Sequence, residues 1–347
     1  MKILIVRLSS LGDVVHTLPA VRALKNHFPD ASLTWVIEEA ASDLLRGYPG
    51  VDRVIVSRRK QWLADIGRCA FSGPALEIKK FVSELRDDLY DLIIDFQGLL
   101  KSGLLAGLAR GEKKLGFRNA REGAALFYTD KAPPPAFNAH ALKRHLALVA
   151  PLGITDPLPE FASLFGKEDD DAIAKLFAHE GISGDKALIC MHPSAMWPTK
   201  LWGREKIAGL CDMLQHAYNC EILCVGGAGE KKYLEAICAL VAGKVKNMAG
   251  KTTLRQLACL ISKARLMISM DSGPMHLACV VGTPVVAVFG PTAPWRTGPF
   301  GRDYRVARKE LPCSPCFQRK ICPAKHHRCM KDITVEDVFK LCCNYLP

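Results

Sequence analysis

The sequence predicts an α/β protein built from two doubly wound, Rossmann-like domains facing each other across a cleft. Three observations carry that expectation. Short apolar runs alternate with helical patterns through both halves of the 347 residues. Several of these runs end in tight turns that open the next helix. A chain of this length exceeds what one core serves, so two domains are the default. Strands covered on both faces read as continuous apolar stretches, and strand–helix alternation makes them parallel.

In the first half the expected strands are 3–6, 33–37, 53–56 and 92–95, with helices over 14–27, 40–45, 78–86 and 99–108. In the second they are 187–191, 222–225, 266–269 and 285–289, with helices over 204–217, 231–241, 254–262 and 275–280. The break follows 140–152, where Pro151, Gly153, Pro157 and Pro159 mark a connection. The expected domains are 1–165 and 166–330, with 331–347 a last amphipathic helix packing back across the cleft.

Composition is globular, 49% hydrophobic and 24% charged, and the net charge of +12 favours anionic partners. The charge is concentrated: from Lys101 to Arg144 there are nine Lys or Arg against three acids. Either a solvated face or an anion-binding face accounts for that segment. With aromatics at only 7% and none interleaved on a basic strip, a nucleic-acid-binding module is the weaker reading. Residues 3–6 are too short for a secretory signal, and no apolar run approaches a membrane span. The expected location is cytoplasmic, at most peripheral on the inner face of the inner membrane. In that compartment the 14 cysteines read as thiols rather than disulfides, and six of them (Cys190, Cys211, Cys224, Cys238, Cys259, Cys279) lie in apolar runs as small core residues.

Asp13 stands where the first strand's carboxyl end meets a helix, the edge at which open α/β sheets bind ligands. The turn before it, with Ser10 and Gly12, lets a substrate approach closely. Ser10 and Asp13 also have the spacing of a helix capping box, so a cap and a catalytic carboxylate are both open. In the second half, Asp271-Ser272-Gly273-Pro274-Met275-His276 joins a strand end to a helix start, an anion site through its N–H groups and dipole. Ser194 and Lys200 follow the strand 187–191, where a loop lysine suits a diphosphate. Glu230 closes the glycine turn after the next strand and suits the hydroxyls of a ribose. Gly250-Lys251-Thr252 lacks the first glycine of a P-loop, and the single Gly12 rules out a dinucleotide fingerprint. Cys313, Cys316, Cys322 and Cys329 form a cluster with ligand-like spacing, open either to structural zinc or to reduced loop thiols.

Taken together, Ile5-Val-Arg-Leu-Ser-Ser-Leu-Gly-Asp13-Val-Val-His-Thr-Leu-Pro19, Trp35-Val-Ile-Glu-Glu39, Asp95-Phe-Gln-Gly-Leu-Leu-Lys101-Ser102, Asp271-Ser-Gly-Pro-Met-His276 and Phe289-Gly-Pro-Thr292 resemble the ADP-heptose:lipopolysaccharide heptosyltransferases, glycosyltransferase family 9. The resemblance covers nearly the whole chain and is closest to the heptosyltransferase I branch. It implies the glycosyltransferase-B fold and an inverting transfer of heptose from ADP-heptose to an anionic lipopolysaccharide-core acceptor, Kdo or heptose, at the membrane surface. It also implies an N-terminal acceptor domain, a C-terminal donor domain and no required cofactor. Asp13 matches the family's general base. Ser194 and Lys200 match donor-phosphate positions, Glu230 the nucleoside side, and Asp271, Ser272, Gly273 and His276 the donor loop. Arg58, Arg59, Lys60, Lys101, Arg118, Arg121 and Arg144 fall where the family holds its acidic acceptor, beside the Ser10–Gly12 turn. Two departures stand out: the loop from His192 to Lys200 is one residue longer, and the cysteine cluster lies outside the family pattern. A nucleotide-sugar hydrolase or epimerase on the same fold is the competing enzyme reading.

Overall fold

In the computed structural model, twelve strands among the described residues form two all-parallel six-stranded sheets. Residues 1–68, 72–155, 159–301 and 303–346 are described; Pro157 of the expected connection lies outside them. The chain divides into two compact units, Met1–Ser163 and Leu164–Pro347.

In the first unit the strands are β1 (Lys2–Val6), β2 (Ser32–Glu38), β3 (Arg53–Ser57), β4 (Leu89–Asp95), β5 (Arg110–Phe117) and β6 (Asp130–Ala132), in the order β3-β2-β1-β4-β5-β6. In the second they are β7 (Ala187–His192), β8 (Cys220–Cys224), β9 (Val245–Asn247), β10 (Leu266–Met270), β11 (Val285–Val288) and β12 (Tyr304–Ala307), in the order β12-β11-β10-β7-β8-β9. Read from the other edge, the second order repeats the first. Each sheet therefore reverses direction once, between β1 and β4 and between β7 and β10. A crevice opens beyond the carboxyl ends at such a switch point, and ligands of doubly wound sheets bind there.

All eight expected strands are present, and β5, β6, β9 and β12 are additional. All but the edge strand β3 are largely buried apolar runs; β1 is fully buried from Ile3 to Val6 and β10 throughout. The additional four are polar or very short. β5 reads Arg-Gly-Glu-Lys-Lys-Leu-Gly-Phe with its first half at the surface, and β6 and β9 have three residues each. The buried thiols Cys190, Cys211, Cys224 and Cys259 fill core space as expected, and every described cysteine is free. The last helix, Val335–Cys342, packs Val338 and Cys342 into the core of the second unit beside Leu210 and Leu214 of the helix Arg204–Ala217. No helix among the described residues is long and apolar enough to cross a membrane.

Packing reaches the β4 switch-point loop through Tyr128, whose hydroxyl donates to Asp95 Oδ2 (2.6 Å) while its ring lies flat over Gly116 of β5. A Cβ at Gly116 would fall inside van der Waals contact of that ring. Gly116→Ala should therefore cost about 1–3 kcal/mol through overpacking. Thermal melts check this: the midpoint should drop by about 2–4 °C for each kcal/mol. An unchanged midpoint would show that Tyr128 moves aside freely.

Candidate active site

At the first switch point, β1 runs into the helix Leu11–His27 through Arg7–Ser10. The Arg7 side chain is buried (7% exposed), and its Nη1 donates to Phe96 O at the end of β4 (2.6 Å). Its Nη2 lies 2.7 Å from Asp13 Oδ1. The other carboxylate oxygen, Oδ2, accepts from the Ser10 N–H (3.2 Å) and hydroxyl (2.9 Å). The capping geometry is real, and it fixes the carboxylate rather than hiding it: Asp13 keeps 38% of its side chain exposed. Each carboxylate oxygen has two lone pairs, so bonding on one side leaves acceptor capacity on the other. Burial alone would raise the Asp13 pKa. The Arg7 charge, the His145 ring and the two Ser10 bonds outweigh it and hold the carboxyl below its ordinary value. Burial, followed by the Arg7 charge, lowers His145 and keeps its imidazole neutral. His145 Nδ1 meets Thr17 Oγ1 (3.0 Å), which in turn donates to Asp13 O (2.8 Å).

The loop after β4 closes over this turn. Asp95 accepts from the Gln97 and Gly98 N–H groups (2.8 and 3.0 Å) and from the Ser102 hydroxyl (2.8 Å), and burial raises its pKa. Gln97 Oε1 in turn accepts from the N–H groups of Leu8 and Ser9 (2.8 and 3.3 Å). Lys101 Nζ reaches Ser9 Oγ and Glu38 Oε1, both at 3.3 Å.

Glu38 gathers the expected acceptor cations. Its side chain is 5% exposed, with Arg59 at 3.0 Å, Lys101 at 3.3 Å and Lys60 at 3.6 Å, while Arg58 pairs with Glu39 at 2.9 Å. Burial pushes Glu38 up, and the bonds and charges of Arg59 and Lys101 more than offset it, so its pKa is lowered. Four cations thus face two carboxylates, leaving a surplus of positive charge. Arg121 is tied to the β4 loop by its N–H to Gly98 O (2.9 Å), and Arg118 to β6 by its N–H to Ala132 O (3.0 Å). Both side chains are exposed and make no ion pair among the described residues. Arg144 stands next to His145, on the helix Ala141–Val149.

At the second switch point, a hydrogen-bonded row crosses the carboxyl ends of three strands. Ser272 Oγ bonds Ser269 Oγ (3.0 Å) and His192 Nδ1 (2.9 Å), and His192 Nε2 lies 3.5 Å from Glu230 Oε2. Glu230 Oε2 also accepts from the Gly227 N–H (2.7 Å). Burial would raise Glu230, yet the His192 ring, the Ser194 hydroxyl and the Gly227 N–H pull it down to about 2. Lys200 Nζ pairs with buried Asp271 (2.7 Å to Oδ2) and lies over the Trp197 ring (4.3 Å). Thr292 donates to the same Oδ2 (2.6 Å). The helix Gly273–Val281 starts at this point with Ser272 as its cap residue and Pro274 in its first turn, and buried His276 stacks on Phe300. Its first N–H groups have no partner within the helix, which makes an anion site.

The cysteine segment braces two loops of the second unit. Thr199 Oγ1 donates to Gln318 O (2.6 Å), His327 Nε2 meets Thr199 O (2.7 Å), and Ser314 Oγ donates to Gly290 O (2.7 Å). These bonds hold the turns that carry Lys200 and Thr292. Zinc at Cys313, Cys316, Cys322 and Cys329 stays an expectation of the sequence: among the described residues no three His, Cys, Asp or Glu side chains form a metal-holding group. Cys329 is buried in the core of the second unit, where burial and then the neighbouring thiols of Cys316, Cys322 and Cys313 raise its pKa, and Cys313 is exposed.

Four residues that matter to this geometry had no role in the sequence reading: Arg7, Glu38, Gln97 and His192. All four lie inside motifs quoted above, so their positions were visible. Their pairings join segments distant in sequence, such as Arg7 with Phe96 or Glu38 with Lys101, and no local pattern marks them.

Comparison with known proteins identifies the family of the chain. Residues 78–327 match the family model described as glycosyltransferase family 9 (heptosyltransferase). Lipopolysaccharide heptosyltransferase 1 of Pseudomonas aeruginosa is 32% identical over 351 residues, covering 97% of this chain and 92% of that protein. Its Escherichia coli K12 namesake is 30% identical over 318 residues, covering 89% and 93%. Among solved structures, E. coli heptosyltransferase WaaC with ADP superposes with a TM-score of 0.77 at 26% identity, covering 99% of this chain and all of that one. The two doubly wound sheets are those of the glycosyltransferase-B fold, and the chain belongs to glycosyltransferase family 9, the heptosyltransferases.

Proposed function

We propose that the protein transfers heptose from ADP-heptose to the Kdo sugar of the lipopolysaccharide inner core, with Asp13 as general base. The observation that carries this reading is the Asp13 carboxylate: held by buried Arg7 and by Ser10, yet open at a switch point. The relatives supply the substrate class. In a single displacement, Asp13 takes the proton of the acceptor hydroxyl as that oxygen attacks the anomeric carbon, and ADP departs. The surplus cations around Glu38, with Arg118, Arg121 and Arg144, hold the acidic acceptor. Lys200 and the start of the helix Gly273–Val281 carry the charge that develops on the leaving diphosphate, so on this reading protein groups supply the positive charge. Ser194, Glu230, Asp271, Ser272, Gly273 and His276 hold the remainder of the donor. The acceptor is presented at a membrane surface.

The test is ADP release from ADP-heptose with and without a Kdo-bearing acceptor. Release should require acceptor; equal release without it would identify a nucleotide-sugar hydrolase instead. Asp13→Asn should keep donor affinity and lose at least about 10²-fold in kcat, the lower end for a lost base. Near-normal turnover would exclude Asp13 as the base. Lys200→Met should lower kcat/KM for donor by about 10²-fold, the scale of one lost oxyanion partner, and leave acceptor KM alone.

The depressed Asp13 pKa fixes the sign of a pH effect. The group is ionised above its folded pKa, so the base is active there and is lost only as pH falls through a value below 3.8. The acid limb of kcat/KM should therefore lie below the usual carboxylate range. Arg7→Met removes the largest opposing charge and should move that limb upward. A limb unmoved by Arg7→Met would detach the two groups.

A further inference from the structure

One face of the helix Leu100–Leu108 is uncovered. Leu100, Leu104 and Leu108 recur every fourth residue and are 43%, 44% and 41% exposed. That spacing puts them on one side of the helix. The adjoining side is glycine: at Gly103 and Gly107 an added Cβ would meet the Phe127 ring at 3.0 and 2.7 Å. The close approach seats the turn Ala124–Phe127 against the helix along the edge of the leucine row. That turn carries Leu126, which is 85% exposed.

Cations border this apolar face at both ends. Lys114 Nζ donates to Gly107 O (3.0 Å), and Arg110 follows the helix directly. At the other end Arg121 is tied to Gly98, just before the helix. Glu122, the acid nearest that end, has its carboxylate engaged by the Leu100 N–H (3.3 Å). A contiguous exposed apolar patch rimmed by charge marks an interaction surface, and apolar surface with a basic rim matches the boundary of an anionic bilayer.

We propose that the leucine row of Leu100, Leu104, Leu108 and Leu126 docks the protein on an anionic lipid bilayer. The inference rests on the reading that the acceptor is presented at a membrane, and it names the surface that meets it. The same helix starts beside the β4 loop, where Lys101 reaches Ser9 and Glu38. A bilayer against the row would thus bring headgroup-linked sugars to the acceptor side of the first unit. Leucines entering the interface supply the apolar gain. Each nearby Lys or Arg strengthens attachment to anionic lipid by about five-fold.

Vesicle flotation of the full chain at about 0.15 M salt, near the physiological value, tests this. Vesicles of phosphatidylglycerol and phosphatidylethanolamine should carry the protein upward, and phosphatidylcholine vesicles should carry far less. The double variant Leu104→Ser, Leu126→Ser should partition about 10²-fold more weakly, from two leucines no longer buried. Its melting midpoint and its turnover of a delipidated, soluble acceptor should match the parent, while turnover of vesicle-embedded acceptor falls. Equal flotation of parent and variant would overturn the proposal. So would a parent that sediments as a dimer and a variant that sediments as a monomer, because the row would then be a contact between copies. Flotation reads docking alone and soluble-acceptor turnover reads transfer alone, so the two readings fail separately.

Discussion

The Arg7 guanidinium is the contact on which the first unit's site depends. It sits one residue past β1, with its N–H bonded to Val36 O (3.2 Å) and its carbonyl to the Trp35 indole (3.0 Å). Its main chain is thereby locked to β2 while its side chain crosses to Phe96 at the end of β4 and to Asp13. One buried cation joins three strands' ends to the helix start. A buried charge persists only where it is paired and hydrogen-bonded; Asp13 and Phe96 O supply this at Nη2 and Nη1, while Nε has no hydrogen-bond partner among the described residues. The same pairing has a chemical consequence. It keeps Asp13 ionised at any physiological pH, and it also makes Asp13 a weaker base than an ordinary carboxylate, since basicity falls with pKa.

The second unit solves the corresponding problem with a hydrogen-bonded row and one ion pair. His192 has a partner on each ring nitrogen, so it links the ends of β7, β8 and β10. The Lys200–Asp271 pair fixes the ammonium in direction without exhausting it. An ammonium has three N–H donors. Asp271 takes two of them, through Oδ2 (2.7 Å) and its own carbonyl (3.4 Å), and one remains. Thr292 donates to the same Asp271 oxygen, and the segment around Thr199, Gln318 and His327 holds the turn carrying Lys200. A flexible four-carbon side chain is thereby ordered before any ligand arrives, which lowers the entropic cost of binding.

The central strands and the residues at their carboxyl ends were legible in the sequence because burial on both faces leaves an apolar run that stops at a turn. β1, β4, β7 and β10 are of that kind, and Asp13, Asp271 and Lys200 follow such ends. β5 was not legible, because Arg110, Glu112 and Lys113 disguise a strand whose second half alone is buried. The charge surplus between Lys101 and Arg144 was visible, but its organisation was not. Glu38, the acid that ends an apolar strand, turns out to be the hub for Arg59, Lys60 and Lys101.

The cation cluster also shows how a basic face can be both ordered and receptive. Exposed ion pairs contribute little stability, so Arg58–Glu39, with both side chains 51% exposed, matters chiefly as a restraint on direction. Glu38 is different: at 5% exposure its charge is screened little by water, and it holds Arg59 and Lys101 in fixed geometry. Lys60 is 69% exposed and free to swing toward a ligand. Attraction from the surplus charge is long-ranged and weakened by salt, while the contacts made on arrival are short-ranged and persist. The helix Leu100–Leu108 links these scales. Its core side buries Ser102 and Ala106, Lys101 turns toward Glu38, and its leucine row faces outward. Any force that fixes the orientation of that row relative to a surface also fixes where Lys101, Ser9 and the adjoining Asp13 turn meet what the surface presents.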